Sequence, residues 1–407
     1  MTDAVVVSAT RSPIGRAGKG SLVDVRPDDL AATVVAAALD AVPGMAATDL
    51  DDLLLGCAEP SGEQGTNLAR VVAVLLCHDG LPGTTVNRFC ASSVQTTRMA
   101  LHAIRAGEGH AFVSAGVECV SRYRGVAGSD LFGEDAMNPR FEDARRRTGE
   151  TARSNARWHD PRESGELPDV YIAMGQTAEN VATSRGVSRQ RQDEWGVTSQ
   201  NRAEAAIAAG YVDAEITPVT TPDGTLVSRD DGPRAGVTLE KVQQLQPVFR
   251  ADGTVTAGNC CALNDGAAAL VVVSSDFATA HGLTPLARVV STGVSALSPE
   301  IMGMGPVEAS RQALERAGLT MADIDLVEIN EAFASQVLAS ADDLGIDPEK
   351  LNVHGGAIAY GHPFGATGAR ITTTLLNALK VRDGRFGLET MCVGGGQGMA
   401  VVYERLS

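Results

Sequence analysis

The stretch DDLAATVVAAALDAVPGMAATDLDDLLLG, residues 28–56, decides the fold, because its pattern returns as PVEASRQALERAGLTMADIDLVEIN at residues 306–330. Each copy reads as an alanine-rich amphipathic helix, a break, an aspartate turn (Asp49 and Asp51, or Asp323 and Asp325) and an apolar strand ending at Gly56 or Asn330. Placing Asp49 on Asp323 gives an offset of 323 − 49 = 274. Further along, Cys90 opens a helix that leads to the strand AFVSAG, and His362 precedes a helix that leads to LETMCVGGG; their offset is 362 − 90 = 272. Two landmarks agreeing this closely predict two similar half-domains, with Cys90 and His362 at equivalent helix N-termini facing each other across a pseudo-two-fold.

Outward from this pair, short β-branched runs alternate with amphipathic stretches, which predicts an α/β architecture with buried strands. The boundaries predicted are an N-terminal half over residues 1–120 plus 251–275, an insertion over 121–250 covering the active site, and a C-terminal half over 276–407. Within the insertion, FEDARRRTGETARSNARWHDPRESGELPD is almost free of aliphatic residues and reads as surface loop, whereas SRQRQDEWGVTSQNRAEAAIAAG reads as a helix between an Ser188 cap and Gly210.

The 407 residues carry 50 acidic and 34 basic side chains, a net charge of −16, which disfavours nucleic acid and anionic membranes as partners. No apolar run is long enough to cross a bilayer, and the N-terminus lacks a leader pattern, so a cytoplasmic protein is expected. Seven cysteines with no CxxC spacing point to reduced thiols rather than a disulfide framework or a zinc site, and His354 and His362 lack the spacing of a metal pair; no metal is expected.

Four clusters carry candidate chemistry. In VNRFCASS, Cys90 stands at a predicted helix start, where dipole and free N–H groups favour a thiolate near neutral pH. In HGGAIAYGHPFGATG, glycines let the backbone approach a ligand closely around His362, a natural proton acceptor, with Pro363 fit for the first position of a helix. In MCVGGGQG, Cys392 ends a strand before three glycines, an arrangement that exposes a side chain beside N–H groups suited to an oxyanion. In INEAFA, Asn330 at a strand end is placed to fix a water or donate to developing charge, or is simply a turn residue.

Together VNRxC, the TAGN and NDGAA segment, NEAFA, GGAIAxGHPxGxTGAR and CxGGGxG, in this order along nearly the whole chain, resemble the thiolase family, the acetyl-CoA acetyltransferases and 3-ketoacyl-CoA thiolases. The resemblance implies a five-layered αβαβα fold of two similar halves with an inserted loop domain, coenzyme A and acyl-CoA as substrates with no permanently bound cofactor, a homodimer or homotetramer, and a place in lipid metabolism such as β-oxidation. By resemblance Cys90 is the acylated nucleophile, His362 its base, and Cys392 the residue exchanging a proton at the α-carbon of the second acyl group. Asn330 holds a water in one oxyanion hole with His362, and the N–H groups of Cys90 and Gly394 form the other. Arg234 matches an arginine at the adenine end of coenzyme A, and Met174, Phe249, Ala257 and Phe333 match the pantetheine channel, with Cys261 on the same path. Three departures stand out: Cys261 where the family usually has serine, Ala173 in place of a histidine before the methionine, and Ser92 with Ser93 in place of SG. The loss of a polar group at Ala173 leaves room for a longer or bulkier acyl chain. Two alternatives stay open at this stage, a ketoacyl-synthase-type decarboxylating enzyme and a non-catalytic acyl-CoA-binding scaffold; the first pairs its cysteine with two histidines or a histidine and asparagine, the second loses active-site residues.

Overall fold

A computed structural model describes residues 2–122, 137–154 and 156–407. The helix Pro27–Asp40 starts on a proline at its first turn, with Asp28 and Asp29 at the positive end of the dipole, and buries Leu30, Ala31, Val34, Val35 and Ala38 on one face. Its counterpart is Gly305–Ala317. Each is followed by a short 3₁₀ turn in which an aspartate accepts a backbone N–H three residues back, Asp49 from Ala46 and Asp323 from Thr320. The aspartate turns seen in the sequence are therefore caps that deliver the chain into a strand.

The strands bear out the repeat. In the first half Ala4–Arg11, Asn264–Ser274, Ala111–Cys119, Asp52–Gly56 and Gly83–Val86 lie side by side in that order. In the second half the order is Ala287–Ala296, Gln397–Arg405, Phe386–Val393 and Leu326–Ile329, with Leu351 bridging to Val327 where a fifth strand would lie. In both halves the first three strands run antiparallel and the later pairings are parallel. The halves join edge to edge at two residue pairs, Val5 with Arg288 and Val6 with Ala287.

Buried side chains sort into layers. One face of the first sheet packs on the helices Pro27–Asp40 and Leu68–Leu75, and one face of the second packs on Gly305–Ala317 and Ala334–Leu344. The other faces of both sheets enclose Ser92–Ala106 and Thr367–Val381, which completes the five αβαβα layers. These central helices touch at their N-terminal ends: a Cβ on Gly368 would sit 2.5 Å from the Val94 nitrogen, and Ser93 Oγ accepts from the Ala369 N–H at 3.0 Å. Whatever precedes each helix is thereby brought to one place.

Three expectations need correction. The central helices start at Ser92 and Thr367, an offset of 367 − 92 = 275, so Cys90 corresponds to Gly365 and His362 to Asn87. The two residues come from equivalent loops but not from equivalent positions, because Cys90 lies within the 3₁₀ turn Phe89–Ala91, whereas His362 lies two residues before the matching turn Phe364–Ala366. Pro363 likewise caps that turn rather than opening the helix. The polar run after Phe141 is also not simply loop: Glu142–Ser154 is a helix. It forms without an apolar stripe because Glu142 and Asp143 occupy its first turn, Arg146 pairs with Asp143 and Glu150, and Arg147 reaches the buried Glu300 at 3.3 Å. The expected insertion also contains residues 123–136 and 155, which lie outside the described residues. Its helix Arg189–Ala208 is capped by Ser188 and followed by Gly210 in the left-handed region, as expected.

Candidate active site

Cys90 sits in the turn Phe89–Ala91, whose geometry is unusual for its residues: Phe89 has φ +46°, a left-handed conformation without glycine. Asn87 Oδ1 holds the Phe89 N–H at 2.8 Å, and Ser92 Oγ accepts from the Arg88 N–H and donates to the Phe89 carbonyl. This turn packs against Phe364–Ala366, just after His362, and against the strand Phe386–Val393 that carries Cys392. The backbone N–H groups of Gly394 and of Cys90 itself favour the Cys90 thiolate. They do not produce the thiolate that a helix start suggests. Burial pushes the thiol up to about 11 despite both N–H groups, and the Glu118 carboxylate adds to the rise. Cys90 rests as a thiol and needs a base.

His362, the expected base, is positioned by three side chains. The His362 backbone N–H donates to Asn264 Oδ1 at 2.9 Å. Its Nδ1 lies 2.6 Å from Thr367 Oγ1, while the Thr367 hydroxyl donates to the Pro363 carbonyl at 3.0 Å. A hydroxyl has one proton to give, so Thr367 accepts from Nδ1–H and the lone pair is left on Nε2. Asn330 Nδ2 faces that Nε2 at 3.2 Å. Burial, with the positive charge of Arg370 behind it, holds the imidazole down to about 3, so it stays a neutral acceptor.

Cys392 is not exposed, contrary to the expectation from its glycines, since both faces of its sheet are covered. It has no solvent exposure and packs with Ala178, Val255, Met302, Ala332 and Phe333. Met174 and Phe249 border the same cluster, with the Phe249 ring edge-on to Phe333 at 6.1 Å. Burial raises the Cys392 thiol well above its ordinary value, and the nearby Cys90 sulfur raises it further. Cys261 is raised in the same way by burial, then by Cys260, Cys90 and Cys392, which places it among the same sulfurs.

A cavity of about 440 Å³ is lined by the exposed Arg234, Lys241 and Ala257, by the half-buried Arg16 and Cys261, and by the buried Gly361, the residue before His362. The residues expected along one channel therefore divide. Arg234, Ala257 and Cys261 line this cavity, whereas Met174, Phe249 and Phe333 surround Cys392. Cys260 belongs to both groups and pairs with Phe333 through a backbone bridge. Sequence reasoning missed Arg16, Lys241, Asn264 and Thr367. Thr367 could have been found, since a hydroxyl five residues after His362 at a helix start is within reach of the ring. His354 stands apart, stacked on Tyr211 with ring centroids 5.1 Å apart.

A thiol facing two N–H donors, a neutral imidazole, a second thiol and a cation-rimmed passage form the equipment of an enzyme that carries an acyl group on cysteine. Comparison with known proteins gives the family. The profile for the thiolase N-terminal domain matches residues 4–276 and that for the thiolase C-terminal domain residues 283–405. The chain is 41% identical to the 3-ketoacyl-CoA thiolase of Bacillus subtilis over 99% of this chain and 100% of that protein. It is 40% identical to a beta-ketoadipyl-CoA thiolase of Acinetobacter baylyi, with 100% of both covered. The crystal structure of the Bacillus anthracis acetyl-CoA acetyltransferase superposes with a TM-score of 0.87 at 38% identity, covering 100% of this chain and 99% of that one. The chain belongs to the thiolase family and is a CoA-dependent acyltransferase.

Proposed function

We propose that the chain forms and cleaves the carbon–carbon bond of 3-ketoacyl-CoA thioesters through an acyl group carried on Cys90. The observation that carries this reading is the packing of the Cys90 turn, Phe89–Ala91, against both the turn that follows His362 and the strand that carries Cys392, with the His362 ring fixed by Thr367 Oγ1 at 2.6 Å. As the Cys90 sulfur attacks a thioester carbonyl, His362 Nε2 takes its proton and the two N–H groups hold the oxyanion. The intermediate collapses, the carbon–sulfur bond to coenzyme A breaks, and the leaving thiolate takes the proton back from His362. A second acyl-CoA then enters, Cys392 passes its own proton to His362, and the resulting thiolate removes a proton from the α-carbon of that substrate. The carbonyl oxygen of the second substrate faces Asn330 and the protonated His362 as the enolate forms. The carbanion attacks the acyl carbon on Cys90, the thioester to Cys90 breaks, His362 returns the proton to the Cys90 sulfur, and 3-ketoacyl-CoA is released; the reverse sequence is thiolysis.

Substrate preference follows from the walls around Cys392. Met174, Phe249, Phe333, Met302 and Val255 are apolar, and Ala173 caps the helix Met174–Arg185 with a methyl group alone. These support unbranched apolar acyl chains longer than acetyl, as in fatty-acid breakdown by β-oxidation. Given a series of 3-ketoacyl-CoA thioesters, kcat/KM should rise beyond the shortest member by about tenfold, the worth of roughly two buried methylene groups. A maximum at acetoacetyl-CoA, or with a chain ending in carboxylate, would overturn the preference. The reading extends to the insertion over 121–250 as the cover of this site and to a homodimer or homotetramer. Seven unpaired cysteines support a reducing compartment such as the cytoplasm.

Arg234 is assigned to the remote end of coenzyme A because it stands at the outer rim of the cavity. Such a contact is alike in ground and transition states, so Arg234→Ala should raise KM about tenfold and leave kcat nearly unchanged. A collapse of kcat at constant KM in steady-state assays would place this guanidinium at the reacting centre instead.

A further inference from the structure

We infer that Glu118 is a positioning residue that fixes the nucleophile and the base relative to each other through one buried carboxylate. The inference rests on the reading of Cys90 and His362 as that pair. Glu118 lies near the end of the strand Ala111–Cys119, has no solvent exposure, and points into the junction between the two halves. Its Oε2 accepts the Gly365 N–H at 2.9 Å and the Ala58 N–H at 2.8 Å. Its Oε1 accepts the Glu59 N–H at 3.2 Å and Gln64 Nε2 at 2.8 Å.

Two of these contacts lead to the reacting groups. Gly365 is in the turn that follows His362, and it fits because it carries no side chain: a Cβ there would lie 2.7 Å from Cys57 Cα and 2.9 Å from Glu118 Oε2. The base loop is thus clamped from the first half of the chain. In the other direction, Ala58 presents its carbonyl to Asn87 Nδ2 at 3.0 Å, and Asn87 Oδ1 accepts the Phe89 N–H at 2.8 Å. Phe89 is the residue in the left-handed conformation immediately before Cys90. The path from Glu118 through Ala58 and Asn87 holds the strained nucleophile turn, while the path through Gly365 holds the base turn. Ala58 through its backbone and Asn87 through its side-chain amide each donate on one side and accept on the other, so this path is polar throughout.

A glutamine cannot replace this carboxylate. Whichever way its amide is turned, its NH₂ group faces two N–H donors. Glu118→Gln should therefore loosen both turns and slow single-turnover acylation by about 10²-fold, the usual cost of a misplacement of order 1 Å. Coenzyme A affinity should stay within about twofold, because the cavity rim is untouched. Asn87→Ala cuts only the nucleophile arm from a more exposed position, and should slow acylation with the same unchanged affinity. In the double variant the two effects should fall short of additive, since both act through one path. If Glu118→Gln does not fold, Asn87→Ala alone decides: acylation at the wild-type rate overturns the inference. So does a folded Glu118→Gln enzyme that acylates normally, or one whose loss lies entirely in coenzyme A affinity. Cys90→Ala, measured alongside, separates the two levels: if it still acylates, the assignment of the pair has failed rather than the clamp.

Discussion

Cys90→Ala should lose turnover by at least about 10⁴-fold and take up no acyl group from acyl-CoA, with intact-protein mass spectrometry as the readout. The site holds other thiols, so the expectation needs a reason why none substitutes. Cys392 and Cys261 are both held well above their ordinary values by burial, and each has only its own backbone N–H as a polar neighbour favouring the thiolate. Among these three, only Cys90 has the N–H of a distant residue, Gly394, favouring its thiolate. The proposed base should also work over a wide range. A histidine at its ordinary value is half protonated near pH 6.5, but burial keeps His362 neutral down to about 3. Acylation of the unmodified enzyme should therefore hold its rate as pH falls from about 7 to about 5. An adduct on Cys392 or Cys261 in the Cys90→Ala protein would overturn the assignment.

Much of this arrangement was legible in residues 28–56 and 306–330, because a capping aspartate before an apolar strand leaves a recognisable pattern and its recurrence implies duplicated topology. The three-residue error in aligning Cys90 with His362 has a local cause. Sequence shows where a helix pattern begins, whereas the 3₁₀ turns before Ser92 and Thr367 have no periodicity of their own to read. Burial was the larger gap. The glycines after Cys392 suggested an exposed side chain, and the helix start suggested a low-lying Cys90 thiol; both inferences used local structure and left out the layers that close over the site. Arg16 and Lys241 were illegible for another reason: segments more than two hundred residues apart meet at one rim, and no spacing encodes that.

Cys392→Ser is the sharper test of mechanism, since it divides the reaction rather than abolishing it. Acylation of Cys90 requires His362 and an oxyanion hole but no carbanion, so the variant should still accumulate acyl-enzyme when given acyl-CoA alone. Bond formation or thiolysis should slow by roughly 10² to 10⁴, the usual contribution of a positioned acid or base. Serine brings a separate cost, because a hydroxyl among Val255, Met302 and Phe333 lacks a partner and should lower stability by about 1–3 kcal/mol. Cys392→Ala avoids that cost and should show the same kinetic division with a melting temperature closer to the wild type. A folded Cys392→Ser enzyme that binds coenzyme A yet cannot be acylated would mean that Cys392 helps to activate Cys90, and that the two thiols do not divide the work between them.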